Sequence, residues 1–269
     1  MLDLLDLILL RRGVPADDST IAFRRIDGEA RSRVIYFLPW NTTYSIARQA
    51  GFTPLDFLAA YEMPPAIVSS DPELSVQAMR AVVDDAEALL ASKGIEPKDA
   101  LLVGLSIGSF AATYLANRIG ARLCAVAPSD RADMMMWQSP AARLIKRRAV
   151  QKGLHLAHYS RVMAGYHPIH NLAGIAPNSV FVIGRKDPFV PTARRAALQR
   201  AIETNARDAK IIKLDAGHFR TLMLSASHQL AMMGLVPPPS RWPSRWQVRM
   251  PRELPSFSMA RLFAPGDGT

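Results

Sequence analysis

Cysteine is nearly missing from this sequence, and so are long apolar runs and internal repeats. Its 269 residues hold one cysteine, Cys124. A lone thiol excludes an internal disulfide framework and a cysteine-based zinc cluster. It fits a reducing compartment, so a cytoplasmic location is expected. No run of 18 apolar residues occurs, so no membrane-spanning helix is expected. The opening stretch MLDLLDLILLRRG is apolar but is interrupted by Asp3 and Asp6. It has neither a basic leader nor a small-residue cleavage site and does not read as a signal peptide.

What is present suffices for a sizeable core. Apolar residues make up 49% of the chain, which excludes wholesale disorder. The net charge is +10, with 33 basic and 23 acidic side chains. That excess is uneven. Residues 1–130 are net −4, residues 131–170 net +6, residues 171–220 net +5 and residues 221–269 net +3. A basic face can meet nucleic acid, an anionic membrane or an acidic substrate. No nucleic-acid-binding motif is present, so nucleic acid is not expected as a partner.

Short apolar strands alternate with helical segments. Thr20–Ile26 and Arg33–Leu38 read as strands, joined in a hairpin by Asp27-Gly28. Thr43–Gly51 reads as a helix and Ala66–Ser69 as a short strand. Asp71-Pro72-Glu73 then opens a helix with a capping carboxylate and a proline at its first position, and Gly94 closes it. Ala100–Leu105, Leu123–Ala127, Ser179–Gly184 and Lys210–Leu214 are strand candidates. Between and after them fall helices over Ser106–Ile119, Thr192–Thr204 and His218–Met233. Residues 2–12 read as a short amphipathic helix. This alternation predicts an α/β fold, with a mostly parallel central sheet and helices on both faces. Residues 131–170 break the rhythm and read as an insertion. Residues 236–269, with seven prolines from Pro237 on, read as an extended basic tail after a domain over 1–235.

The chemistry gathers at three strand ends. The strand ALLVGL runs into Gly104-Leu105-Ser106-Ile107-Gly108, a G-x-S-x-G between strand and helix. Such a nucleophile elbow lifts the serine hydroxyl above the sheet on a strained turn, and bulkier neighbours would collide with the strand or helix. The helix start offers the Ile107 N–H to an oxyanion. A serine hydroxyl needs a base, and the base needs an orienting acid. In this arrangement the chain order is serine, acid, histidine. Asp187 follows the strand SVFVIG, and His218 follows KIIKL in Ala216-Gly217-His218. The C-terminal ends of parallel strands are where such sheets place ligands.

GLSIG, GRKDP and AGH in this order resemble the α/β-hydrolase superfamily over roughly residues 20–233, with 131–170 similar to its helical cap. The resemblance implies an α/β-hydrolase fold, with Ser106 as nucleophile, His218 as general acid/base and Asp187 as orienting acid. Some members carry the acid one strand earlier, which makes Asp130 the alternative. Many members have His-Gly after the first oxyanion strand. Here RVIYFL is followed by Pro39-Trp40-Asn41, so the second oxyanion donor is the backbone N–H of Trp40 or Asn41.

The implied activity is hydrolysis of a carboxylic ester, or a thioester, of a small or lipid-like acyl group through an acyl-enzyme, with no cofactor or metal. A catalytically inactive binding or scaffold protein of the same fold is the alternative. Met134, Met135 and Trp137 are candidates to line an acyl pocket. The pairs His155/His158 and His167/His170 have metal-compatible spacing but no companion ligands, so no metal site is expected. Arg143, Lys146, Arg147, Arg148 and Lys152 form a cationic patch. With the interleaved Arg241-Trp242-Pro243-Ser244-Arg245-Trp246, that patch makes peripheral contact with anionic membranes a further expectation. The oligomeric state stays open.

Overall fold

A computed structural model of the chain describes Asp6 and residues 19–235. The helix expected over 2–12 (Asp6 apart) and the proline-rich tail with its Arg-Trp pairs lie outside the described residues.

Seven strands form one sheet: β1 (Arg24–Asp27), β2 (Val34–Phe37), β3 (Ala59–Glu62), β4 (Leu101–Leu105), β5 (Arg122–Val126), β6 (Val180–Gly184) and β7 (Lys210–Leu214). Their order is β1-β3-β2-β4-β5-β6-β7, and all pairs are parallel except β1 with β3. From β2 the chain steps outward to β3, then returns past β2 to β4. This reversal opens a crevice at the carboxyl ends of β2 and β4, the usual ligand position in open α/β sheets.

The strands are continuous apolar runs because both sheet faces are covered. Along β2, Ile35 and Phe37 point into one core, and Val34 and Tyr36 into the other. The first core packs against α2 (Pro72–Ser92) and α3 (Gly108–Ile119). The second packs beneath α1 (Tyr44–Gln49), α8 (His218–Leu224) and α9 (Ala226–Met232). Thr43 caps α1 through its side chain, and Asp71 caps α2 by accepting from Glu73 N–H at 3.0 Å. Between β5 and β6, residues 131–170 fold as α4 (Ala132–Gln138), α5 (Arg143–Gln151) and α6 (Leu156–Val162), with short 3-10 turns. α7 (Thr192–Asn205) lies between β6 and β7.

Three local expectations are corrected. The hairpin over Asp27-Gly28 does not form, because β3 lies between β1 and β2. Gly28 instead lets the chain turn against β3. A Cβ there would stand 2.1 Å from the Phe57 carbonyl oxygen, whereas Gly28 N–H donates to Leu58 O at 2.9 Å. The segment read as a strand over Ala66–Ser69 is a 3-10 turn over Pro65–Val68 with proline at its first position. Proline fixes its own φ and supplies no N–H, which suits a turn start and not a ladder. The last helix is two, α8 and α9, meeting at Ser225. Ser225 Oγ donates back to Leu222 O at 2.7 Å and accepts from Gln229 Nε2 at 2.9 Å.

Tyr36 ties the sheet to these last helices. Its buried hydroxyl donates to Gln229 Oε1 at 2.9 Å and accepts from Leu55 N–H at 3.2 Å. Tyr36→Phe strands both partners, and leaving buried polar groups unsatisfied costs about 1–3 kcal/mol. A urea titration should show that loss as a lower midpoint at unchanged slope.

Candidate active site

The elbow follows from backbone contact. Ser106 has φ of 53°, in the left-handed region that ordinary side chains avoid. Its N–H donates to Val126 O at 2.9 Å, which ties the turn to β5. The flanking glycines leave no room for a side chain. A Cβ on Gly104 would lie 2.5 Å from Ser109 Cα, and one on Gly108 would lie 2.2 Å from Phe37 O. So β4 touches α3 directly, and α3 starts hard against the end of β2.

Above this turn the three expected residues meet. Ser106 Oγ is 2.8 Å from His218 Nε2, and His218 Nδ1 is 2.7 Å from Asp187 Oδ2. Asp187 and His218 are buried, while the Ser106 side chain is partly open. Asp187 Oδ1 accepts from Phe189 N–H at 2.8 Å and Val190 N–H at 3.2 Å, so both its oxygens are occupied. Burial alone would push the His218 imidazole down. Asp187, through its charge and hydrogen bond, and then Asp6 outweigh burial and hold it above its ordinary value.

Asp130 stands elsewhere. Its Oδ2 is 3.2 Å from Arg194 Nη1 and its Oδ1 accepts from Ser129 Oγ at 3.2 Å. Burial raises its carboxyl, and Arg194 only partly offsets that.

Trp40, Ser106 and Ile107 border one open cleft, with His218, Phe189 and Leu222 on its walls. Trp40 is fixed by its indole N–H, which donates to Pro65 O at 3.2 Å. Among the described residues, the backbone N–H groups of Trp40 and Ile107 donate to no protein acceptor. Asn41 has φ of 52° and is not on the cleft wall.

A narrow apolar space, about large enough for one water, adjoins this cleft. Val68, Ile107 and Met135 border both, and Met79, Phe110 and Met163 line the second alone. Met135 thus stands between the two spaces. Met134 and Trp137 line neither space. Met134 N–H donates to Asp133 Oδ1 at 2.7 Å, and Trp137 packs edge-on against Tyr159 at 5.7 Å. On a helix, neighbouring residues cannot all face one cavity, so only part of the Met-Met-Met-Trp run lines it.

No protein-family model matches the sequence, and no curated protein matches it. Solved structures do resemble it. An esterase from Pyrococcus furiosus is 13% identical, with 82% of this chain and 95% of that one aligned at a TM-score of 0.51. A lipase/esterase from Lactobacillus plantarum is 10% identical, over 80% of this chain and 98% of that one, at 0.51. An acylaminoacyl peptidase from Pyrococcus horikoshii is 9% identical, over 86% of this chain and 43% of that one, at 0.53.

The chain has the α/β-hydrolase fold. At these identities the likeness speaks to the fold alone, and the neighbours include both esterases and a peptidase.

Within this α/β-hydrolase fold, the segment over 131–170 is pinned down by polar contacts that sequence reading missed. Asp133 is fully buried and accepts from Arg131 and from Ser160 Oγ. Burial would raise its carboxyl, but the Arg131 and Ser160 hydrogen bonds hold it below the usual range. His167, 3.5 Å from Asp133, is pushed down to about 4 by burial and is neutral at ordinary pH. Tyr159 OH donates to Ser69 O at 2.9 Å. Two cations of the expected basic patch are fasteners. Lys146 donates to Trp137 O at 3.1 Å, and Lys152 to Ser70 Oγ at 2.7 Å. Among the described residues no group of three or more His, Cys, Asp or Glu gathers to hold a metal, and no helix is long and apolar enough to cross a membrane.

Arg195 was also missed. Its guanidinium donates to the carbonyls of Asp187, at 2.7 Å, Val190 and Arg185, closing the loop that carries the acid. A signal for it existed, since Arg195 lies one turn into the helix after GRKDPFVP, close to that loop. Cys124 is buried in β5 with its thiol pushed up to about 12 by burial, so it is unsuited to act as a nucleophile.

The elbow offers a direct check. Gly108→Ala must move the Phe37 carbonyl, and overpacking of this kind costs about 1–3 kcal/mol. Denaturant unfolding should register the loss, and Gly120→Ala is no substitute control because Gly120 itself has φ of 74°.

Proposed function

We propose that this chain is a serine hydrolase that cleaves a carboxylic ester, with a thioester as the second choice, through an acyl-enzyme. The unbroken hydrogen-bonded line Ser106–His218–Asp187 on a strained elbow carries the reading. As Ser106 Oγ bonds to the acyl carbon, its proton passes to His218 Nε2, and the carbonyl π pair moves onto oxygen. The backbone N–H groups of Ile107 and Trp40 receive that oxyanion. Trp40 is preferred to Asn41 because it borders the cleft. His218 then gives its proton to the alcohol as the C–O bond to it breaks, later takes a proton from water as the water oxygen bonds to the acyl carbon, and returns it to Ser106 Oγ as the acyl bond to serine breaks and the acid leaves. Asp187 holds the ring and stabilises the imidazolium. No step calls for a metal or organic cofactor.

The narrow apolar space beyond Met135 supports an unbranched acyl chain only with displacement of its flexible methionine walls, Met79 and Met163. Met135→Trp should lower kcat/KM for a p-nitrophenyl octanoate more than for the acetate. Equal losses on both would place the chain elsewhere.

The roles separate by substitution. Ser106→Ala should reduce p-nitrophenyl ester turnover to background, and Asp187→Asn should lower kcat by about 10⁴-fold. Asp130→Asn, which removes the partner of Arg194, should leave the pH profile unmoved. Full turnover by Ser106→Ala would remove Ser106 from the nucleophile's role, whereas a folded parent with no turnover would favour the scaffold reading. Because the base must be neutral, kcat/KM should fall as pH drops through the raised His218 value, so the acidic limb should lie above the 6.5 of an ordinary imidazole.

A further inference from the structure

Asp6 lies 212 residues from His218 in sequence and directly behind it in space. Its Oδ2 accepts from His218 N–H at 3.0 Å, and its Oδ1 accepts from Phe219 N–H at 3.4 Å. The side chain is fully buried. Placing a carboxylate in such a site is costly unless partners compensate it, and burial accordingly pushes the Asp6 carboxyl above the usual range. The local chain explains the vacancy it fills. The first N–H groups of a helix lack internal partners, and the residue capping α8 is Gly217, which has no side chain to offer. Asp6 takes that place from a segment remote in sequence.

The surroundings of His218 make the charge count. The ring meets Phe189 and Phe219 edge-on at 5.1 and 5.7 Å, and the neutral Ser106 hydroxyl at Nε2. The charged groups acting on it among the described residues are two carboxylates, Asp187 and Asp6. Arg195 is committed to the carbonyls of the Asp187 loop.

We propose that Asp6 is a positioning residue for His218, anchoring the backbone from which the imidazole reaches Ser106 and favouring the imidazolium formed when the serine proton is taken. This rests on the hydrolase reading and extends it, since one carboxylate holds the ring at Nδ1 and a second holds its backbone.

The test is a histidine ¹³C NMR titration of the full chain, run on the parent, Asp6→Asn and Asp6→Glu, beside kcat/KM–pH profiles on a p-nitrophenyl ester. Asp6→Asn keeps the shape and removes the charge. Its His218 midpoint should fall below the parental one, with the acidic limb of kcat/KM moving the same way. Asn has one acceptor oxygen where Asp6 offers two to the His218 and Phe219 N–H groups, so the ring's anchor loosens and kcat should drop by up to about 100-fold at unchanged KM. Asp6→Glu should hold the parental midpoint. An Asp6→Asn midpoint equal to the parent's, or Asn and Glu variants that titrate alike, would overturn the proposal. The titration needs no substrate, so a parent without ester turnover would sink the hydrolase reading while the coupling of Asp6 to His218 is still measured.

Discussion

Everything at this site depends on how closely a strand and a helix approach one another beneath Ser106. Holding a serine at φ of 53° is unfavourable by about 1–3 kcal/mol, and such a residue persists only where its surroundings over-determine it. Here they do. Gly104 lies against Ser109 and Ala112 of α3, Gly108 lies against the end of β2, and the Ser106 amide is bonded to β5. Three neighbouring strands thus fix one hydroxyl. Trp40 and Ile107 border the same cleft as that hydroxyl, at the point where the strand order reverses.

The histidine is governed by a different balance. His218 is nearly out of solvent, where a cation is disfavoured, yet it faces two carboxylates from segments remote in sequence. Burial and charge oppose one another, and charge prevails. A buried base of this kind stays neutral enough to accept a proton and gains stabilisation once it has done so. The net charge of +10 plays no part in that balance. Its densest share sits on the segment over 131–170, where Lys146 ties α5 to the end of α4 and Lys152 fastens the segment to Ser70 of the body.

Much of this was legible in the chain. Apolar runs such as LLVGL and VFVIG declare themselves because strands buried on both faces tolerate little else. Ser106, Asp187 and His218 were legible because each lies within four residues of the end of a strand candidate. What escaped was non-local. β3, with the modest sequence AAYE, is a strand because it fits between β1 and β2, and no periodicity over four residues could announce that. Asp6 bonds to backbone groups far off in sequence, which leave no mark on residue type, while Arg195 was marked only by its nearness to the loop that carries Asp187. The Met-Met-Met-Trp run was read too generously, since a helix turns part of it away from the cavity.

The most direct test of the account is to treat the full chain with a fluorophosphonate and solve the structure of the adduct. The account predicts phosphorus on Ser106 Oγ, with its anionic oxygen between the N–H groups of Ile107 and Trp40. It also predicts no adduct once His218 is replaced by alanine. A folded protein that takes no label, or takes it on another residue, would contradict it.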